Sequence, residues 1–178
     1  LDLYIGTYKR CQKKWLKMSF KIKNKFLLKS EFNKIKSIVT DPDFNWFLQT
    51  SVLEEQKNKD IYFTHTFFKE NEIRSPFYKD IIIPFIEKLK IKKLIRAKLN
   101  LYPRTDKKII HGFHTDFKYK HNVALFYFNT NNGETLFRDK KVISEENKIV
   151  IFNGSLEHSS TTCTNKNYRI SLNVNYEL

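Results

Sequence analysis

The chain has 178 residues and a formal net charge of +14, and with 40% hydrophobic residues but only 4 Gly and 4 Pro it is neither low-complexity nor disordered. One domain spanning 1–178, with a buried core of its own, is the expectation from that length. No apolar run approaches the roughly 18 residues of a membrane helix. The first 23 residues are interrupted by lysines and lack the apolar centre of a secretory signal. The two cysteines, Cys11 and Cys163, are too few for a disulfide framework, so a reduced, cytoplasmic protein is expected.

A charge of +14 raises nucleic acid as a partner. Of the 33 basic residues, however, 27 are Lys, scattered from Lys9 to Lys166, and 6 are Arg. Phosphate and base recognition favours the planar Arg fork. A solvated, lysine-rich surface is therefore the preferred reading.

In chain order, residues 19–29 read as a leading strand. Ser30 then stands before apolar residues at 32, 35, 38 and 39, and Asp41-Pro42 ends the run, which predicts a helix with Ser30 as its N-cap. The segment 40–75 carries no readable pattern. Ser75-Pro76 opens a second helix, in which Phe77, Ile81, Phe85 and Leu89 recur every four residues. From residue 94 onward, apolar β-type segments follow one another at 94–102, 123–129, 134–138, 148–153 and 168–176, separated by "NTNNG" and "NGSLEH". Strands in succession with no helix between them predict an antiparallel sandwich or jelly roll. The fold class is α+β, mainly β, with residues 1–93 forming a strand and helices that buttress the β half at 94–178.

The chemistry concentrates on that half. The stretch "HGFHTDFKYKHN" at 111–122 holds three of the five histidines. In extended chain, His114 and Asp116 point the same way, ~7 Å apart. A third ligand is available at His158, and two histidines with one carboxylate form the facial triad of non-haem Fe(II) oxygenases. In the last segment Arg169 and Ser171 share a face. A buried guanidinium beside a hydroxyl suits a carboxylate, which accepts two parallel hydrogen bonds from Arg.

The pieces "NLYPR", "HTD", "LFYFNTNNGETLF", "VIFNGSLEH" and "RIS" stand in the order found in the Fe(II)- and 2-oxoglutarate-dependent dioxygenases. Between Asn100 and Tyr176 the chain resembles that superfamily, and within it the prolyl 4-hydroxylase-like group. The resemblance implies a double-stranded β-helix of the jelly-roll, cupin-like kind, with Fe(II) held by His114, Asp116 and His158. It also implies that Arg169, with Ser171 beside it, clamps the distal carboxylate of 2-oxoglutarate. Tyr127 would bond the same carboxylate, and Tyr102 would lie near the other end of the co-substrate. The implied cofactors are Fe(II), 2-oxoglutarate and O2, with ascorbate as a supporting reductant. The implied reaction hydroxylates a C–H bond of a peptidyl or free amino acid, proline first, with release of succinate and CO2.

Gly133-Glu134 departs from the Gly-Gly pair of many relatives and is read as a change at the site entrance. His111 and His121 are read as supporting or surface residues, His65 as a core or substrate-side residue, and Cys163 as a small semi-buried hydrophobe. Three other readings stand beside the oxygenase: a non-catalytic cupin-like module, a Zn2+-dependent isomerase or hydrolase, and a nucleic-acid demethylase of the AlkB type. The last carries a second arginine six positions after the first, where this chain has Asn175.

Overall fold

The computed structural model describes residues 20–50 and 61–178. Among the described residues two helices, α1 (Lys29–Val39) and α2 (Tyr78–Leu89), stand among eleven strands. The strands are β1 (Lys21–Lys23), β2 (Phe47–Gln49), β3 (Tyr62–Lys69), β4 (Glu72–Ile73), β5 (Lys93–Pro103), β6 (Asn122–Tyr127), β7 (Glu134–Phe137), β8 (Lys141–Ile143), β9 (Lys148–Asn153), β10 (His158–Ser160) and β11 (Tyr168–Glu177). The large sheet runs β1-β9-β6-β11-β5-β3-β2, with β4 paired to β3, and the small sheet runs β10-β7-β8. Every pairing is antiparallel. This is the mainly β jelly-roll architecture expected from the sequence.

Alternation along β6 and β11 divides the interior in two. Ala124 and Phe126 of β6, with Ile170, Leu172, Val174 and Tyr176 of β11, face α1 and α2. There they meet Phe32, Ile35 and Val39 of α1 and Ile81, Ile82 and Phe85 of α2, so the helices do buttress one face. Val123, Leu125 and Tyr127 point the other way, into a second core with Phe137, Val142, Val150 and Phe152 between the two sheets. The polar row Arg169, Ser171, Asn173 and Asn175 of β11 lies on this second face, and all four residues are buried.

Three local details differ from expectation. Helix α1 begins at Lys29, one residue before the predicted cap, because the Leu28 N–H donates to Glu31 Oε2 at 2.9 Å and the carboxylate caps the turn in place of Ser30. The leading strand shrinks to Lys21–Lys23, paired with β9 from Lys21↔Ile151 to Lys23↔Ile149. The N-terminal half also supplies more than a strand and helices. β2, β3 and β4 come from the segment without a readable pattern, and β3 pairs with β5 from Phe63↔Leu101 to Phe68↔Ala97. Among the described residues, no helix is long and apolar enough to cross a membrane.

Candidate metal centre and active site

The two halves of the sequence motif meet through backbone pairing. The Ile109 carbonyl accepts from Thr162 N, His111 N donates to Ser160 O, and His114 and His158 exchange both backbone bonds at 3.0 and 2.9 Å. Residues 109–114 therefore run antiparallel to 158–162, and the 44-position gap between the two histidines closes to 4.8 Å between ring centroids. Asp116 lies just beyond this ladder, at a bend and not in the extended chain that strict alternation requires. The three side chains nonetheless converge: one ligand atom each from His114, Asp116 and His158 falls within 4.8 Å of the others.

The neighbours set the orientation and charge of groups that could hold a cation. Nδ1 of His114 donates to the Gly112 carbonyl at 3.1 Å and Nδ1 of His158 to the Leu156 carbonyl at 3.3 Å, which leaves Nε2 of each ring as the free nitrogen. Burial lowers the His158 pKa against the pull of Asp116, which keeps the imidazole neutral. For Asp116, burial alone would raise the pKa. Arg96, then His158, the Asn173 bond and His114 together outweigh it and hold the carboxyl well below its usual range. Its Oδ1 pairs with Arg96, and its Oδ2 accepts from Asn173 Nδ2 at 3.0 Å.

One pocket is lined by all three side chains together with Arg169, Ser171 and Tyr102. Arg169 is 1% exposed, and among the described residues no carboxylate neutralises it. Its Nε donates to Ser144 Oγ at 2.6 Å and its Nη2 to Thr135 Oγ1 at 3.1 Å, so the guanidinium plane is fixed from the small-sheet side. The Tyr127 hydroxyl donates to the same Thr135 oxygen at 2.8 Å, and its ring lies 5.5 Å from the guanidinium carbon. Tyr127 thus stands behind the arginine. The Tyr102 hydroxyl accepts from Ser160 Oγ at 3.0 Å, and its ring stacks on Tyr62 and His111.

No family model and no curated protein sequence matches the chain. Solved structures do. An oxidoreductase of the 2OG-Fe(II) oxygenase family from Burkholderia pseudomallei has a TM-score of 0.64 at 9% identity, covering 90% of this chain and 85% of its own. A Pseudomonas putida prolyl-4-hydroxylase has a TM-score of 0.65 at 12% identity, covering 89% and 92%. A prolyl hydroxylase from Trichoplax adhaerens, solved with a peptide fragment of a hypoxia inducible factor oxygen degradation domain, has a TM-score of 0.65 at 11% identity, covering 99% and 93%. The chain has the fold of the 2OG-Fe(II) oxygenases.

Within this oxygenase fold, sequence reading named Tyr102 on β5 but missed Lys98 and Asn100, which line the pocket beside it, and Arg96, which pairs with Asp116. Arg96, Lys98, Asn100 and Tyr102 of β5 stand opposite Asn175, Asn173, Ser171 and Arg169 of β11. Polar residues at alternate positions, with Ala97, Leu99 and Leu101 between them, were the available signal. Glu134, the departure in the hairpin, is held between Lys108 and Lys141 at 3.0 and 2.8 Å. His111 supports Tyr102 and bonds Ser160 Oγ at 2.8 Å, while His121 packs against Gly154. His65 is a core residue between Asn45 and Ser75. Cys163 is buried, its thiol pushed up by that burial, and Cys11 lies outside the described residues.

Proposed function

We propose that the chain is an Fe(II)- and 2-oxoglutarate-dependent oxygenase that hydroxylates a C–H bond in a peptidyl or free amino acid, with proline the first substrate to try. The observation that carries this reading is the meeting, in one pocket, of a two-histidine, one-carboxylate cluster and a buried arginine that no carboxylate compensates among the described residues. A zinc hydrolase or isomerase has a use for the first but none for the second. The prolyl hydroxylases among the structural neighbours support the substrate class. The buried Asn175, in place of a second arginine, speaks against a nucleic-acid demethylase.

The donor set fits Fe(II): two imidazoles, each with Nε2 free of a hydrogen-bond partner among the described residues, and an ionised carboxylate leave coordination positions open. When bound, the metal with 2-oxoglutarate and O2 supplies oxidative decarboxylation to succinate and CO2, coupled to hydroxylation. His114, Asp116 and His158 hold the ion. The carbonyls of Gly112 and Leu156 keep the imidazole protons on Nδ1, away from it. Arg169 offers its fork to the distal carboxylate of 2-oxoglutarate, with the Ser171 hydroxyl beside it, while Thr135 and Ser144 stop the guanidinium from rotating. Tyr102 flanks the nearer end, and Tyr127 backs the arginine through Thr135. One domain over 1–178 and a cytoplasmic location belong to the same proposal.

Anaerobic titration with Fe(II) and then 2-oxoglutarate tests this directly. The expected result is the weak visible charge-transfer absorption of a chelated keto acid, lost in His114→Ala. Metal binding without that absorption would remove the oxygenase reading and leave a cupin-like binding module.

A further inference from the structure

We propose that Lys98 is a specificity residue that receives a carboxylate of the primary substrate, so that this site selects acidic peptides or amino acids. The inference rests on the oxygenase reading above and adds the chemical class of its substrate.

Lys98 stands on the polar row of β5, opposite Asn173 of β11 and Thr66 of β3, and lines the pocket together with His114, Asp116 and His158. Its Nζ rests 5.9 Å from the Tyr62 ring centroid, and among the described residues it has no hydrogen-bond or ion-pair partner. Lysines elsewhere on these strands behave differently: Lys69 of β3 and Lys93 of β5 each reach a carboxylate at 3.1 Å. A half-buried ammonium without an acceptor is costly, and an anionic ligand offsets that cost. Burial, then Arg96, pushes the Lys98 amine down to about 8, with Asp116 pulling the other way, so it remains mostly protonated at neutral pH.

Charge balance points the same way. Lys98 and Arg169 line the pocket and Arg96 pairs with Asp116 at its edge, so among the described residues three permanent or near-permanent cations stand against the single carboxylate of Asp116. A divalent metal and the dianion of 2-oxoglutarate cancel each other and leave that surplus intact. Arg96 is already committed to Asp116, and Arg169 is held by Thr135 and Ser144 at the other end of the row. Four strand residues, ~13 Å, separate the Arg169 position from the Asn173 position facing Lys98. Lys98 is therefore the cation left for a second anion.

The test uses Fe(II)-loaded protein with 2-oxoglutarate and a set of short proline peptides and free amino acids, matched except for an acidic, neutral or basic group beside the acceptor residue. The readout is succinate release above the substrate-free rate. Acidic members alone should raise it. Lys98→Gln should raise their KM by about tenfold or more, the worth of one charge-assisted hydrogen bond, with 2-oxoglutarate affinity unchanged. Lys98→Arg, which keeps the charge, should recover part of the loss, while Fe(II) affinity reports that each variant is folded. Acceleration by neutral or basic members, none by acidic ones, or an unchanged KM in Lys98→Gln would overturn the proposal. So would a fall in 2-oxoglutarate affinity, which would give Lys98 to the co-substrate. Failure of the wild-type protein to bind 2-oxoglutarate shows before any peptide is added, and it breaks the oxygenase reading itself.

Discussion

Gly133 lies so close to Arg169 that a Cβ added to it would stand 2.5 Å from Arg169 Cδ and 2.8 Å from Asn131 Oδ1. Its backbone needs no positive φ, so the requirement is one of space alone. The glycine of "NTNNG" therefore serves the arginine as well as the turn. Gly133→Ala should displace the guanidinium at an overpacking cost of ~1–3 kcal/mol. Calorimetric titration is expected to show 2-oxoglutarate binding weakened by that amount, with Fe(II) binding retained because the metal cluster is built from other elements.

The same arginine predicts a second separation of effects. Arg169→Lys preserves the charge but loses the fork that Thr135 and Ser144 hold in place, removing one charge-assisted hydrogen bond of ~1.5–3 kcal/mol. Affinity for 2-oxoglutarate should fall by about 10- to 100-fold while metal affinity stays near wild type. Equal losses of both would count against the assigned role. Thr135→Val should show a smaller loss in the same direction, since Thr135 also accepts from the Tyr127 hydroxyl.

How far the sequence could be read depended on how local each cause is. The strand "KIVIFN" appears as β9 over Lys148–Asn153, because β-branched and aromatic residues run up to an Asn-Gly turn. β3 escaped notice although Tyr62, Thr64 and Phe67 are buried. Its pairing shifts register between Thr66 and Phe68, which breaks the two-residue period. β8 and β10, of three residues each, are too short to show any period. At the site, His114 and Asp116 lie two residues apart and could be seen as a motif. Arg96 could not, since in a lysine-rich frame it reads as solvated charge. Its place against Asp116 follows from the β5–β11 register, Asn175↔Arg96, which no local pattern encodes.

Phe126 anchors the helix-side core. It is fully buried, with ring centroids of Phe26, Phe32, Phe85 and Phe128 at 5.0–6.2 Å. Phe126→Ala removes a ring that joins β6 to both helices and should cost ~3–5 kcal/mol, measured as a fall in the urea midpoint at constant slope. Ile143→Ala, on the exposed side of β8, should change stability by no more than ~0.5 kcal/mol.

His65 makes stability depend on pH. It is 4% exposed; Nδ1 donates to the Asn45 carbonyl at 2.7 Å, and Nε2 accepts from Ser75 Oγ at 2.7 Å. The Ser75 oxygen in turn accepts from Phe77 N–H at 3.2 Å, ahead of α2, so the chain of bonds is satisfied by a neutral imidazole. Protonation would put a second donor against the serine hydroxyl. Burial accordingly lowers the His65 pKa, against the opposing effect of the Asn45 bond. In the unfolded chain the value returns to about 6.5. Below that pH the unfolded state takes up a proton that the folded state refuses. The stabilising contribution is thus complete above about 6.5 and is lost as pH falls toward the depressed folded value. His158, also lowered by burial, adds to the loss in the same window. Melting temperature should fall between pH 7.5 and 5.5, less steeply in His65→Gln, which lacks one of the two titrating rings; an equally steep fall in that variant would remove His65 from the account.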